Sequence, residues 1–148
     1  MAMQIAARTA DLRVDVVERG YVVEEEPGRL VRLRGRLDVH SVPDIRAVLH
    51  RAVDGGTGDL HADLDGTHIA DATGLGVLVG AHRRAQRRGR RLVLEDVPGP
   101  VLRLLRVTKL HRVLPLSPAS AAQVRMLPTR ELLQNNRDVP SSMPRRAS

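Results

Sequence analysis

The stretch GTHIADATGLGVLVG, Gly66 to Gly80, leads from an apolar segment into a glycine-spaced helix. Asp71 stands where that helix begins, and its carboxylate can cap the free backbone N–H groups of the first turn. The helix is predicted to run from Ala72 to about Arg88. A helix N-terminus carries positive potential and would accommodate a phosphate on a first-turn side chain. The stretch therefore has the form of a functional loop, yet its first helical residue, Ala72, has no hydroxyl.

Strands and helices are predicted to alternate on both sides of this stretch. Residues 12–23 and 30–38 have strand character, and Pro27-Gly28 between them suits the middle of a type II turn, so a hairpin is expected. Ser41 is expected to cap a helix whose apolar residues have helical spacing: Val42, Ile45, Leu49, Ala52 and Val53. The remaining predicted elements are strands at 59–66, 90–97 and 111–116 and helices at 98–110 and 117–127.

The element order is therefore β-β-α-β-α-β-α-β-α. It predicts an α/β fold with a mixed, largely parallel sheet of four or five strands and about four helices. Residues 1–11 are expected to be a flexible N-terminus and residues 12–127 the folded domain. Residues 128–148 are rich in Arg, Pro and Ser without periodicity, which predicts a disordered tail.

Composition narrows the classes of function. The 148 residues carry a net charge of +7 but include a single aromatic residue, Tyr21. Single-strand nucleic-acid binding usually uses aromatic stacking, so nucleic acid is not the favoured partner. The absence of cysteine excludes disulfides and thiolate catalysis. With no apolar run of membrane-spanning length and no signal peptide recognised, a cytoplasmic location is expected.

No catalytic or metal-binding pattern is found in the sequence. The six histidines are scattered over different predicted elements and have no ligand spacing. The central stretch lacks the Gly-Lys-Ser/Thr ending of a phosphate-binding loop, and no Gly-x-Ser-x-Gly elbow is present. We predict no enzyme activity, no metal and no cofactor.

The helix that follows Asp71 can be divided into faces by its 100° step per residue. The predicted core face holds Leu75, Leu78, Val79, His82 and Ala85, with His82 at its edge. The predicted outward face is small in its first half and basic in its second: Thr73, Gly76, Val77 and Gly80, then Arg83, Arg84, Arg87 and Arg88. Two interpretations of the glycines stay open, close packing of a helix from the same domain or close approach of another protein. The arginines suit either a solvated face or an acidic partner.

Three segments resemble a STAS domain, specifically a bacterial anti-sigma-factor antagonist. They are GRLDVHSVPDIRAVL (35–49), LDGTHIADATGLGVLVGAHRRAQRRGRRLVL (64–94) and PGPVLRLLRVTKLHRVLPL (98–116), and the resemblance extends over roughly Leu12 to Met126. It implies a protein that binds an anti-sigma factor, usually a serine kinase of the histidine-kinase-like ATPase fold, and so frees a sigma factor. In phosphorylated members the kinase modifies the residue after the loop aspartate, which stops binding until a phosphatase acts.

The resemblance also implies site residues. Asp38 matches the aspartate at the end of the second strand, Asp71 the loop aspartate, and Thr73 to Gly76 the motif that follows. Ala72 occupies the usual acceptor position and cannot be phosphorylated. The predicted partner-binding surface comprises Asp38, Asp71, Ala72, Thr73, Gly74, Leu75, Gly76, Val77 and Gly80.

Three hypotheses follow from Ala72. The favoured one is an antagonist that binds its partner without phosphorylation at this loop. In the second, Thr73 takes over as acceptor, although it points about 100° around the helix from Ala72. In the third, the domain is a scaffold in a signalling assembly or an accessory subunit of a transporter. Self-association is left open.

Overall fold

The structure is a computed structural model that describes residues 18–127. The predicted N-terminal segment 1–11, residues 12–17 of the first predicted strand and the predicted tail 128–148 lie outside the described residues. The elements are β1 (Tyr21–Glu26), β2 (Leu30–Leu37), α1 (Val42–Asp54), β3 (Leu60–Asp63), β4 (Thr67–Ile69), α2 (Ala72–Arg87), β5 (Leu92–Glu95), α3 (Gly99–Val107) and α4 (Pro118–Arg125), with a 3₁₀ turn at Leu110–Arg112.

A mixed five-stranded sheet organises these elements. The strand order is β1-β2-β3-β5, and β4 pairs with β2 beyond the end of β3. Only β1 and β2 are antiparallel; the pairings of β2 with β3, β2 with β4 and β3 with β5 are parallel. The predicted α/β class and the hairpin are confirmed. In the hairpin turn Gly28 has φ +71°, as the third position of a type II turn requires.

Strand β2 pairs with β3 in its first half and with β4 in its second half, and Gly35 lies where the pairing changes. Residues 30–32 pair with β3, and residues 35–37 pair with β4. Gly35 has φ +80°, and a Cβ there would lie 2.7 Å from the carbonyl oxygen of Arg19, so only glycine fits. Since β2 and β4 run parallel, their C-terminal ends bring Asp38 and Asp71 to the same edge of the sheet. β4 has only three residues, and the sequence pattern does not separate it from β3.

The strand predicted at residues 111–116 is wrong. That segment contains the 3₁₀ turn and then a single parallel bridge between Leu94 and Leu116. Leu94 N donates to Pro115 O and Ser117 N donates to Leu94 O, each at 2.9 Å. Pro115 has no N–H with which to extend the ladder, so pairing stops at one bridge. Leu114 nevertheless reaches the core and is 1% exposed.

At the end of the sheet opposite to Asp71, Arg90 links the hairpin turn to the chain around the end of α1. Its side chain is buried, and it donates to the carbonyl oxygens of Ala52 at 3.0 Å, Val53 at 2.7 Å and Gly58 at 2.7 Å, and also to that of Gly28. Burial lowers the pKa of Arg90 from its ordinary value. The hairpin turn and the chain after α1 are thus held by one guanidinium without a carboxylate partner among residues 18–127.

Candidate functional site

Asp71 begins α2 as predicted. Its backbone is extended (φ −155°), and its carboxylate accepts from the backbone N–H groups of Thr73 at 3.0 Å and Gly74 at 3.3 Å. Asp71 and Ala72 are both exposed, and Thr73 is half-buried. The loop is therefore rigidly capped while its first helical residue faces solvent. A cap of this kind stabilises a helix by about 1 kcal/mol.

Gly74 fixes how α2 sits on the sheet. A Cβ at Gly74 would lie 2.7 Å from the carbonyl oxygen of Leu37 and 3.0 Å from its Cβ. The first turn of α2 therefore packs directly on the last residue of β2, an approach that only glycine permits. Gly74 was predicted in the partner-binding surface, but it is buried and acts by positioning its neighbours.

Gly76 and Gly80 are in a different environment. Both are exposed, and a Cβ at either position would meet no atom within 4 Å among the described residues. No helix within residues 18–127 packs on them, so the interpretation that these glycines accommodate a helix of the same domain is wrong for that part of the chain. They leave open surface beside the Asp71 loop.

Val77 was predicted on the outward face and is in fact buried, with 2% exposure. The buried residues of α2 are Gly74, Val77, Leu78, Ala81, His82 and Ala85. Their centre is rotated by about 60° from the predicted core face, counted at 100° per residue. The reason is that α2 packs against α1 as well as against the sheet.

The solvent side of α2 is correspondingly rotated. Six of its residues are exposed, and five of them lie within an arc of about 80°, hereafter the α2 face: Ala72, Gly76, Gly80, Arg83 and Arg87. The sixth, Gln86, lies beside that arc. Small residues occupy its half next to the Asp71 loop, and arginines occupy its far half. Leu75, predicted in the core, is half-buried.

Two of the four predicted outward arginines are engaged within the chain. Arg84 Nη2 lies 2.7 Å from Asp54 Oδ2, and Arg88 Nε lies 2.7 Å from Asp54 Oδ1, at the end of α1. The hydrogen bond from Arg84 is the largest influence that lowers the pKa of Asp54. Arg83 and Arg87 have no carboxylate partner among residues 18–127, so they alone carry unpaired charge on the α2 face.

Asp38 lies at the same sheet edge but is not a free carboxylate. It is 8% exposed and accepts from the backbone N–H groups of His40 at 2.9 Å and Ser41 at 3.1 Å, and from Arg36 Nε at 3.0 Å. Burial alone would raise the pKa of Asp38, but these donors, those of Ser41 and His40 first, hold it below its ordinary value. Asp38 therefore shapes the loop before α1.

Ser41 occupies the N-cap position of α1, but its side chain makes no capping hydrogen bond. Its hydroxyl instead donates to the carbonyl oxygen of Arg36 at 2.8 Å and accepts from Asp38 N at 3.1 Å. The predicted serine cap is thus corrected: the hydroxyl ties the loop to β2. The neighbouring Val39 is 57% exposed, an apolar residue at this edge that sequence reasoning missed.

A shallow apolar groove adjoins the loop. Its volume is about 290 Å³, and it is lined by Ile69, Ala70, Asp71, Ala72, Leu75 and Leu104. Leu104 comes from α3, and sequence reasoning had no signal that would place it beside Ala72. The predicted site residues are thus brought together only in part: Asp71, Ala72, Gly76 and Gly80 are exposed, Thr73 and Leu75 are half-buried, and Asp38, Gly74 and Val77 are buried.

His82 belongs to the core. It is 2% exposed, and its Nδ1 accepts from Leu92 N at 3.3 Å. Burial, with a smaller effect of Arg91, lowers the pKa of His82, which keeps the imidazole neutral. Among residues 18–127 no group of three or more His, Cys, Asp or Glu residues could hold a metal ion.

Comparison with known proteins identifies the family of this domain. The model of the STAS domain matches residues 21–122. The chain belongs to the STAS domain family. Among its relatives, the anti-sigma-B factor antagonist of Bacillus subtilis is 32% identical over 103 residues, which cover 70% of this chain and 94% of the relative. The anti-sigma-B factor antagonist of Staphylococcus aureus is 32% identical over 80 residues, covering 54% of this chain and 74% of the relative.

A solved structure shows the same fold. The anti-sigma factor antagonist SpoIIAA in its unphosphorylated form superposes with a TM-score of 0.53 at 21% identity, over 74% of this STAS chain and 99% of SpoIIAA. In the part of the chain that the structure describes, no helix is both long enough and apolar enough to span a membrane.

Proposed function

We propose that this STAS protein is an anti-sigma-factor antagonist: it binds an anti-sigma factor of kinase-like ATPase fold and so releases a sigma factor for transcription. The observation that carries the proposal is the open surface at Gly76 and Gly80, next to the exposed, capped Asp71–Ala72 loop. Each glycine weakens an exposed helix by about 1 kcal/mol relative to alanine. Close approach of a partner protein at Gly76 and Gly80 would account for this loss of helix stability.

The proposed contact centres on the loop and the small half of the α2 face. Ala72, Gly76 and Gly80 would be covered by the partner, and the adjoining groove offers apolar surface from Leu75 and Leu104. Contacts that exclude water there would set the affinity. Arg83 and Arg87, exposed and without carboxylate partners among residues 18–127, would mainly raise the association rate and its salt dependence.

Control by phosphorylation at this loop is not part of the proposal. Ala72 has no hydroxyl, so the loop would stay permanently in its binding form. Thr73 is a poor replacement, because it lies about 100° around the helix from Ala72 and is half-buried. Control would then come from protein abundance, competition between partners or another site in a cytoplasmic regulatory circuit.

The test is recovery of candidate anti-sigma kinases by the full chain, with and without ATP. We expect equal recovery in both conditions and no phosphate on Thr73 by mass spectrometry. Phosphothreonine at Thr73 coupled to release would show that Thr73 is the acceptor. Recovery of transporter subunits in place of an anti-sigma factor would replace the proposal by an accessory role.

Matched variants locate the contact. Gly76→Arg adds a bulky charge to open surface and should reduce recovery by about tenfold or more, because it prevents close approach. Gln86→Arg adds the same charge at an exposed position near the other end of α2 and should bind as the wild type does. Equal binding by both variants would show that the α2 face is not the contact.

A further inference from the structure

A second charged feature lies away from the Asp71 loop. Where α3, the 3₁₀ turn and α4 meet, a cleft of about 410 Å³ is lined by Arg106, Lys109, His111, Arg112, Val124 and Arg125. We call it the basic cleft. Arg106 is two residues from Leu104, which places the two side chains about 200° apart on α3. The basic cleft and the groove beside Ala72 therefore lie on different sides of that helix.

The local backbone builds this cleft from three short elements. Lys109 has the left-handed φ of 64°, which ends α3 and starts the 3₁₀ turn that carries His111 and Arg112. Arg106 Nη1 donates to the carbonyl oxygen of Val124 at 2.7 Å and so joins α3 to α4 beside Arg125. The four permanent cations, Arg106, Lys109, Arg112 and Arg125, thus line one concavity, and Arg106 is fixed there by its hydrogen bond.

None of the permanent cations of the cleft is neutralised within the described chain. Arg106, Lys109, Arg112 and Arg125 form no ion pair among residues 18–127, and no carboxylate lines the cleft. Cations at helix C-termini offset the negative end of the helix dipole. That explanation covers Arg106 and Arg125, which stand in the last turns of α3 and α4. It does not cover Lys109 and Arg112, which lie beyond α3.

We propose that the basic cleft binds a compact phosphate chain, the unit shared by inorganic polyphosphates and nucleoside triphosphates. Guanidinium groups pair with phosphate oxygens in bidentate geometry, and adjacent phosphates match several neighbouring cations at once. The cleft is of a size for a small ligand. No Phe, Tyr or Trp side chain lines it, and Tyr21, the one such residue in the sequence, lies on β1, so the cleft offers no large aromatic ring on which a nucleobase could stack.

The experiment is isothermal titration calorimetry of the full chain with sodium tripolyphosphate, ATP without metal, and orthophosphate. Tripolyphosphate should bind one to one, at least about tenfold more tightly than orthophosphate, since several cations act on one ligand. The affinity should fall as potassium chloride is raised. Equal affinity for ATP and tripolyphosphate supports recognition of the phosphate chain alone, and tighter binding of ATP supports nucleotides as its source.

Two double variants distinguish binding in the basic cleft from a general effect of the protein's net charge. Arg112→Gln with Arg125→Gln removes two exposed cations of the cleft and should weaken tripolyphosphate by about tenfold or more. Arg46→Gln with Arg51→Gln removes the same charge from exposed positions on α1 and should leave the affinity within about twofold. Equal weakening in both variants would overturn the proposal, as would orthophosphate binding as tightly as tripolyphosphate.

The same titrations test for a macromolecular ligand. If polyglutamate or a short single-stranded RNA bound more tightly than tripolyphosphate and lost affinity in the Arg112 and Arg125 variant, the occupant would be an extended polymer and the proposal would be wrong. Thermal unfolding without ligand checks that both double variants are folded. A rise in Tm on adding tripolyphosphate, present in the wild type and in the α1 variant only, would support the proposal.

Discussion

Replacing both open glycines of α2 by alanine, Gly76→Ala with Gly80→Ala, should make the protein more stable and a poorer binder. Both residues are exposed, neither has a positive φ, and a Cβ at either site would meet no atom within 4 Å. Alanine therefore fits without strain, and it restricts the unfolded chain more than glycine does. Each substitution should contribute about 0.8–1 kcal/mol in a helix interior.

The two sites together should raise the free energy of unfolding by about 1.5–2 kcal/mol, since neither residue has a packed neighbour through which the effects could couple. An unfolding entropy of about 2 cal/mol/K per residue gives roughly 0.23 kcal/mol/K for the described domain. The expected rise in Tm is therefore about 6–9 °C. Gly74→Ala is the matched control, because its Cβ would lie 2.7 Å from Leu37 O; it should lower Tm.

Differential scanning calorimetry measures the stability, and titration with the anti-sigma partner measures the binding. If neither alanine raises Tm, the two positions are not open helix surface and the structural reasoning fails. If the double variant is stabilised but binds the partner as tightly as the wild type, the glycines do not serve close approach. Stabilisation with at least about a tenfold loss of affinity supports both claims: that the two glycines are open helix surface, and that they allow close approach of the partner.

Three further outcomes can be checked by chemical or thermal unfolding. Asp71→Ala should lower the free energy of unfolding by about 1 kcal/mol through loss of the cap to Thr73 and Gly74, and Asp71→Ser should retain most of it. Arg90→Met should cost about 3 kcal/mol or more, because it leaves several backbone carbonyl oxygens without donors; an unchanged Tm would contradict this role. The folded-state pKa of His82 lies below the ordinary value of 6.5, so the unfolded chain takes up the proton first and stability should fall as pH drops below about 6.5. His82→Asn can still accept from Leu92 N and should flatten part of that slope in unfolding curves. His50, whose pKa burial also lowers, contributes to what remains, and the lowered pKa values of Asp38 and Asp54 add to it at lower pH.

The local sequence pattern was sufficient for α1, for the hairpin and for the start of α2. In α1 the five apolar positions with helical spacing are the helix's buried residues. The hairpin and the start of α2 followed equally well, because turn glycines and capping aspartates act over three or four residues.

The predictions from sequence failed mainly where the burial or contacts of a residue depend on residues distant in sequence. Val77 is buried because α1 lies beside α2. The assignment of one core face from the 100° step along α2 takes no account of such a neighbour. Leu104 reaches the groove beside Ala72, and Arg106 and Arg125 meet in one cleft, because of how α3 and α4 pack. Asp38 is engaged by donors in its own loop, which residue type alone does not show. The sequence thus indicated residues that lie near the Asp71 loop, but it could not separate the exposed ones from those that support them.

Ala72 differs from the other small residues of the loop in what the fold requires of it. Gly74 has a neighbour at 2.7 Å from its missing Cβ, so its size is dictated by packing. Ala72 is exposed at the first position of α2, where a serine hydroxyl would meet solvent and spare backbone donors. Packing therefore does not dictate the alanine, because a serine at this position is compatible with the fold. Under the proposed function, Ala72 and the open Gly76 and Gly80 would form a surface for contact with a partner that has no phosphorylation switch at position 72.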